Sequence, residues 1–209
     1  MKRLIGSVNR LKRGPIGRQV ESRMAEFSSK GSSGDDEIFK ELCFCLLTAN
    51  YTSEGGIRIQ REIGDGFMSL SRPALSMRLR TLGYRFPNAR ARYIVEARGI
   101  RPMLGQVILT GTEKWRREWL AENVLGLGYK EASHFLRNIG QGDLAIIDFH
   151  IIDLLARHSL IRGPKPKSLT KGRYLEIEGI LGRIASGAGI SQGELDLYLW
   201  YMETGKILK

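Results

Sequence analysis

The sequence is short of cysteine, of acidic charge and of long apolar runs, and each shortage removes a class of protein. Its 209 residues include two cysteines, Cys43 and Cys45. Placed one residue apart, they cannot close an ordinary disulfide, and two thiolates are too few for a four-cysteine zinc or iron–sulfur site. They lie in an apolar run and are expected as buried free thiols, the usual state in a reducing compartment. No stretch approaches the ~20 apolar residues of a membrane span. The amino terminus, MKRLIGSVNRLKRG, is basic but has no apolar core of the kind a secretion signal carries. Convincing strands are missing as well. The neighbourhood of Ile108 is one short apolar run, and nothing is available to pair with it.

What is present points to a polyanion. Lys and Arg total 33 against 22 Asp and Glu, a formal charge of +11. An excess of that size favours a phosphate backbone, because a basic surface releases the counterions condensed on it. Hydrophobic residues make up 42% of the chain, enough for one sizeable core or two small ones sharing a cleft.

Helical spacing recurs along the whole sequence. Leu4, Ile5, Val8 and Leu11 define a first helix that Gly14-Pro15 breaks, and a second follows to about Phe27. Ser28 to Gly34 reads as a linker, and Asp35 and Asp36 as the cap and acidic start of a third helix. That third helix is apolar around most of its circumference from Leu42 to Leu47, which places it in the core. Further helices begin at Ser71-Arg72-Pro73, after Pro87, at Thr112, near Tyr174 and at Ser191. The fold class is therefore all-α, with about ten helices.

One stretch carries chemistry. Trp119 to Leu155 contains a helix, a turn reading Val124-Leu125-Gly126-Leu127-Gly128, then Tyr129-Lys130, and an apolar segment bearing Asp148-Phe149-His150. Gly126 and Gly128 permit positive φ and close backbone approach, and the unpaired N–H groups at the start of the next helix favour a phosphate. An isolated pair of such glycines would suit any packed helix corner; the basic total, the lysine and the aspartate shift the balance. Lys130 must be neutral to act as an amine nucleophile, and partial burial with a positive helix end favours that form. Asp148 lies among aliphatics, where a carboxylate is costly unless paired or capping a helix. Asp153 is the obvious decoy. Trp115 and Trp119 suit the core, whereas Arg85, Arg90, Arg92 and the lysines of the 165–171 loop are candidate phosphate contacts.

With its glycine hairpin, Lys130 and the downstream Ile146-Ile147-Asp148-Phe149-His150, the segment resembles the helix-hairpin-helix DNA glycosylase superfamily. The likeness runs from Asp36 to Lys209, through LLTANYTSEGGIRIQ to the terminal YLWYMETGKILK. Within the superfamily it is similar to the archaeal-type, second branch of 8-oxoguanine DNA glycosylase/AP lyases. Leu125 stands where the broader hairpin motif has proline. The resemblance implies a two-lobed fold with the active site in the interlobe cleft. One lobe would span about 36–125, the other 1–35 plus 126–209, with the helix-hairpin-helix at about 113–139.

It further implies that Lys130 attacks the sugar C1′ and Asp148 assists. Asn50 would enter the gap left by the flipped base or touch the partner strand, and His150 would contact a phosphate. His134, Trp200, Lys209 and Phe86 would line or border the base pocket. No cofactor is required, although the hairpin carbonyls of Val124 and Leu127 could seat a monovalent ion. The implied partner is double-stranded DNA containing 8-oxoguanine, met by a monomeric, cytoplasmic prokaryotic enzyme. The alternatives are the same lyase chemistry on another oxidised base, such as a pyrimidine, or a non-catalytic DNA-binding module.

Overall fold

The computed structural model describes residues 1–162 and 168–209. Among them are thirteen α-helices, one short 3-10 turn and no strand. Helices α1 (Lys2–Lys12) and α2 (Pro15–Gly31) precede α3 (Asp35–Thr48), α4 (Ser53–Ile63), α5 (Gly66–Ser69), α6 (Arg72–Thr81) and α7 (Pro87–Ala97). Then come α8 (Arg101–Leu109), α9 (Glu113–Asn123), α10 (Tyr129–Asn138), α11 (Phe149–Arg157), α12 (Lys171–Ala188) and α13 (Gln192–Thr204).

Helix starts follow local chemistry. Thr52, Ser71, Thr112, Asp148, Thr170 and Ser191 each accept a backbone N–H three residues on, giving α4, α6, α9, α11, α12 and α13 a side-chain cap. Helix α3 starts differently from expectation. Its cap is Gly34, without a side-chain bond, and Asp35, Asp36 and Glu37 fill the first turn, where their charge complements the helix dipole. The expected linker is largely helical too. Helix α2 continues through Ser28–Gly31 because Phe27 is buried and Gly31 lies so close to Ile139 that an added Cβ would come within 2.1 Å of its carbonyl oxygen. The apolar run around Ile108 is the end of α8, with Leu104, Val107 and Ile108 buried.

Two apolar clusters organise the chain. The first surrounds α3, where every residue from Leu42 to Leu47 is fully buried, and takes in side chains of α4 to α10 as far as Leu144. The second gathers α1, α2, the strand-free segment around Ala145 and Ile147, and α11 to α13. Helix α10, assigned from sequence to the lobe containing 126–209, packs Ala132, Phe135, Leu136 and Ile139 into the first cluster. Its apolar stripe meets α3, and the chain changes core only after Leu144.

A buried polar seam joins the clusters. The Asn138 amide donates to Glu41 Oε1 at 2.7 Å, Arg137 Nη2 donates to Asn138 at 2.8 Å, and Arg137 Nη1 reaches Asp196 at 2.5 Å. Removing one partner of such a pair would cost about 3–5 kcal/mol by stranding the other charge. The seam therefore fixes α3, α10 and α13 in one register. A second pair, Arg117 with Glu178 at 3.0 Å, ties α9 to α12, with the guanidinium lying over the rings of Tyr129 and Tyr174.

Candidate active site

The hairpin between α9 and α10 is built to show backbone to solvent. Val124 and Leu127 are buried anchors, while Leu125, Gly126 and Gly128 are exposed. The Leu127 amide closes the turn onto the Val124 carbonyl at 3.1 Å. Gly128 caps α10 without a side chain, so the first N–H groups of that helix have no side-chain acceptor there. Gly126 has φ +85°, and an added Cβ would sit 2.3 Å from the Tyr93 ring. Gly126→Ala is accordingly expected to shift the hairpin and weaken duplex binding by tenfold or more, about 1.4 kcal/mol, which a titration of unmodified duplex at fixed salt would measure. Unchanged affinity would mean that the hairpin does not grip the backbone.

Lys130, the second residue of α10, opens onto a cleft of about 1030 Å³. Its side chain is one-quarter exposed and its ammonium stands 3.9 Å from the Glu131 carboxylate. The same cleft is lined by Asp148, Asn50, His134, His150, Trp200 and Lys209. Seven residues singled out from sequence, scattered over 160 positions, thus converge. Asp148 is also a helix cap: its Oδ1 accepts the Ile151 N–H at 3.0 Å. Asp153 does not line the cleft.

The other candidates take distinct positions. His134 is buried, edge-on to Phe44 with ring centroids 5.7 Å apart. Burial, and then the charges of Arg137, Lys130 and Lys209, push its pKa well below the usual histidine value, against a hydrogen bond with the Lys209 backbone; the ring is neutral at working pH. His150 is exposed and meets Trp200 edge-on at 5.2 Å. The indole Nε1 of Trp200 is buried and has no partner among the described residues. Phe86 is exposed, lies under the Arg85 guanidinium at 5.0 Å, and does not line the cleft although Arg85 does. Trp115 is 42% exposed, not a core residue.

Arg90 is a further correction. It is buried, donating to Tyr84 Oη and the Ala49 carbonyl, and so is not a free phosphate contact. Lys165 and Lys167 lie outside the described residues. Lys171 pairs with Glu118 at 2.9 Å.

Sequence reasoning missed Glu41, Gln60 and Asp196. The Lys209 ammonium donates to Glu41 Oε2 at 2.8 Å, bonds Gln60 and sits over the Phe44 ring at 4.2 Å. Glu41 is 1% exposed; a glutamate immediately before the apolar run Leu42–Leu47 is the signal that could have found it. Asp196 lines the cleft from α13, and burial lifts its carboxyl to about 6 against the attraction of Arg137.

A family model described as 8-oxoguanine DNA glycosylase matches residues 20–190. An 8-oxoguanine DNA glycosylase/AP lyase of Korarchaeum cryptofilum is 53% identical over 207 residues, covering 99% of this chain and 98% of its relative. The Methanocaldococcus jannaschii 8-oxoguanine glycosylase/lyase, crystallised with a 15mer DNA containing 8-oxoguanine, superposes with a TM-score of 0.95 at 49% identity over 99% of both chains. The Thermotoga maritima 8-oxoguanine DNA glycosylase superposes with a TM-score of 0.93 at 44% identity, covering 100% of this chain and 99% of that one.

Proposed function

The chain belongs to the 8-oxoguanine DNA glycosylase family, and from that membership we propose how its cleft works. It is a DNA glycosylase/AP lyase that excises 8-oxoguanine. The observation that carries the assignment of roles is the placement of Lys130: on the first turn after an exposed glycine hairpin, and in one cleft with Asp148.

The hairpin amides and the start of α10 hold a backbone phosphate, and the lesion rotates out of the stack at a cost of a few kcal/mol. The cleft volume of about 1030 Å³ suits a nucleotide. Neutral Lys130 attacks C1′ as the bond to the base nitrogen breaks. The bonding pair leaves with the base, which takes up a proton, and the attacking nitrogen gives up one proton. The C1′–O4′ bond then breaks, its electron pair leaving on O4′, which is protonated, as the nitrogen lone pair forms the protonated imine. Asp148 offsets the positive charge that develops on the sugar. Loss of a C2′ proton then expels the 3′ phosphate and cuts the strand.

Asn50 occupies the gap in the duplex, His150 faces a phosphate, and Phe86 borders the opening. Trp200, His134 and Lys209 bound the base. Because the Lys209 ammonium is committed to Glu41 and Gln60, base contacts from this residue fall to its main chain. The family is cofactor-independent. Val124 O accepts the Leu127 N–H in the turn; with a second lone pair it could join Leu127 O in seating a monovalent ion that stiffens the hairpin. No described helix is long and apolar enough to cross a membrane, and we assign the enzyme to the cytoplasm.

Borohydride reduction of the imine tests this reading. A panel of duplexes carrying 8-oxoguanine, an oxidised pyrimidine or no lesion should give a covalent adduct chiefly with 8-oxoguanine. An adduct with the pyrimidine alone would change the substrate, and binding without any adduct would leave a DNA-binding module.

A further inference from the structure

Asn50 has φ +61°, a left-handed conformation that asparagine tolerates better than most residues. It stands two residues beyond the end of α3 and lines the cleft. Backbone in this region persists where surrounding contacts over-determine it, and here those contacts can be named. The Tyr84 hydroxyl donates to the Leu47 carbonyl at 2.7 Å, and Arg90 Nη2 donates to the Ala49 carbonyl at 2.7 Å. Arg90 Nε donates in turn to the Tyr84 hydroxyl at 3.0 Å. Two of the carbonyls that α3 leaves unpaired at its end are thus taken by one linked pair of side chains from across the first core. Tyr51, on the other side of Asn50, packs against Tyr84 with ring centroids 4.6 Å apart and planes tilted by 58°.

The pair also reaches the hairpin. The Arg90 guanidinium lies 5.4 Å from the Tyr93 ring centroid, and that ring is the one seated against Gly126. One connected set of contacts therefore runs from the glycine hairpin to the turn that presents Asn50. We propose that Tyr84 and Arg90 are positioning residues that hold Asn50 in its left-handed conformation and in register with the phosphate-binding hairpin, so that it fills the duplex gap as the hairpin grips the backbone. The proposal rests on the reading of Asn50 as the gap-filling residue. It gives a buried arginine a task that neither packing nor direct phosphate contact supplies.

The test is a double-mutant cycle on a duplex with 2-aminopurine next to 8-oxoguanine, reading the fluorescence rise on extrusion and the single-turnover rate of excision. Arg90→Gln and Tyr84→Phe should each lower both by about tenfold, while cleavage of a preformed abasic site in single-stranded DNA stays within about twofold. Arg90→Lys, which keeps one donor, should fall between. In an Asn50→Ala background the same substitutions should add nothing. Full additivity in that background would overturn the proposal. If Asn50→Ala is damaging while both clamp variants are silent, the clamp alone falls. If Asn50→Ala is itself silent, the reading of Asn50 falls and takes the clamp with it. Should Arg90→Gln also lose single-strand cleavage, it has disrupted the fold, and Tyr84→Phe, which removes only a hydroxyl, decides.

Discussion

Lys130→Gln should abolish the borohydride adduct and lower base release and strand cleavage together by about a thousandfold or more, roughly 4 kcal/mol of transition-state stabilisation. The glutamine is one atom shorter than lysine but keeps its helix propensity, and the ion pair it gives up, 3.9 Å from Glu131 on a partly exposed side chain, contributes little to stability. The fold should survive, and with it the hairpin, so affinity for an 8-oxoguanine duplex should stay within a few-fold of the native value. That combination of retained binding and lost chemistry separates a nucleophile from a phosphate contact. Loss of a phosphate contact would weaken binding and flatten its salt dependence without abolishing the adduct. Residual turnover at the native rate would place the nucleophile elsewhere in the cleft.

The hairpin and the proposed pair, Lys130 and Asp148, were legible in the sequence because they are local. Two glycines, a lysine and an aspartate within 23 positions need only a helix-turn-helix to be read, and the caps at Thr112 and Ser191 follow from the chain on either side of them. What escaped depends on partners distant in sequence. Arg90 looks like any surface arginine until Tyr84 and Ala49 surround it. Glu41 meets Asn138 and Lys209, 97 and 168 residues away. Composition also misled where packing overrode it: the serine-rich 28–31 is helical because Phe27 and Gly31 dock against the core. Propensity is a weak prior there, and tertiary contact decides. Lys209 could be placed near the base by resemblance, but the capture of its ammonium by Glu41 became visible only in three dimensions.

Asp148 carries two readings that one substitution can separate. Its Oδ1 accepts the Ile151 N–H, so it caps α11 whatever else it does, and it lines the cleft with Lys130. Asparagine caps as well as aspartate, since its amide oxygen can take the same hydrogen bond. Asp148→Asn therefore keeps the helix start and forfeits only the charge, whose attraction to the helix dipole is worth about 0.3–1 kcal/mol. Thermal unfolding should shift by a few degrees at most, while single-turnover excision of 8-oxoguanine falls by about 10²–10⁴-fold. Asp148→Ala should lose the same chemistry and about 1 kcal/mol more stability, because the Ile151 amide loses its acceptor. If Asp148→Asn excised at the native rate while Asp148→Ala only melted earlier, Asp148 would be a cap and nothing more. The charge on the developing sugar cation would then have to be met by another group, and Asp196, a further carboxylate lining the cleft, would be the first to substitute.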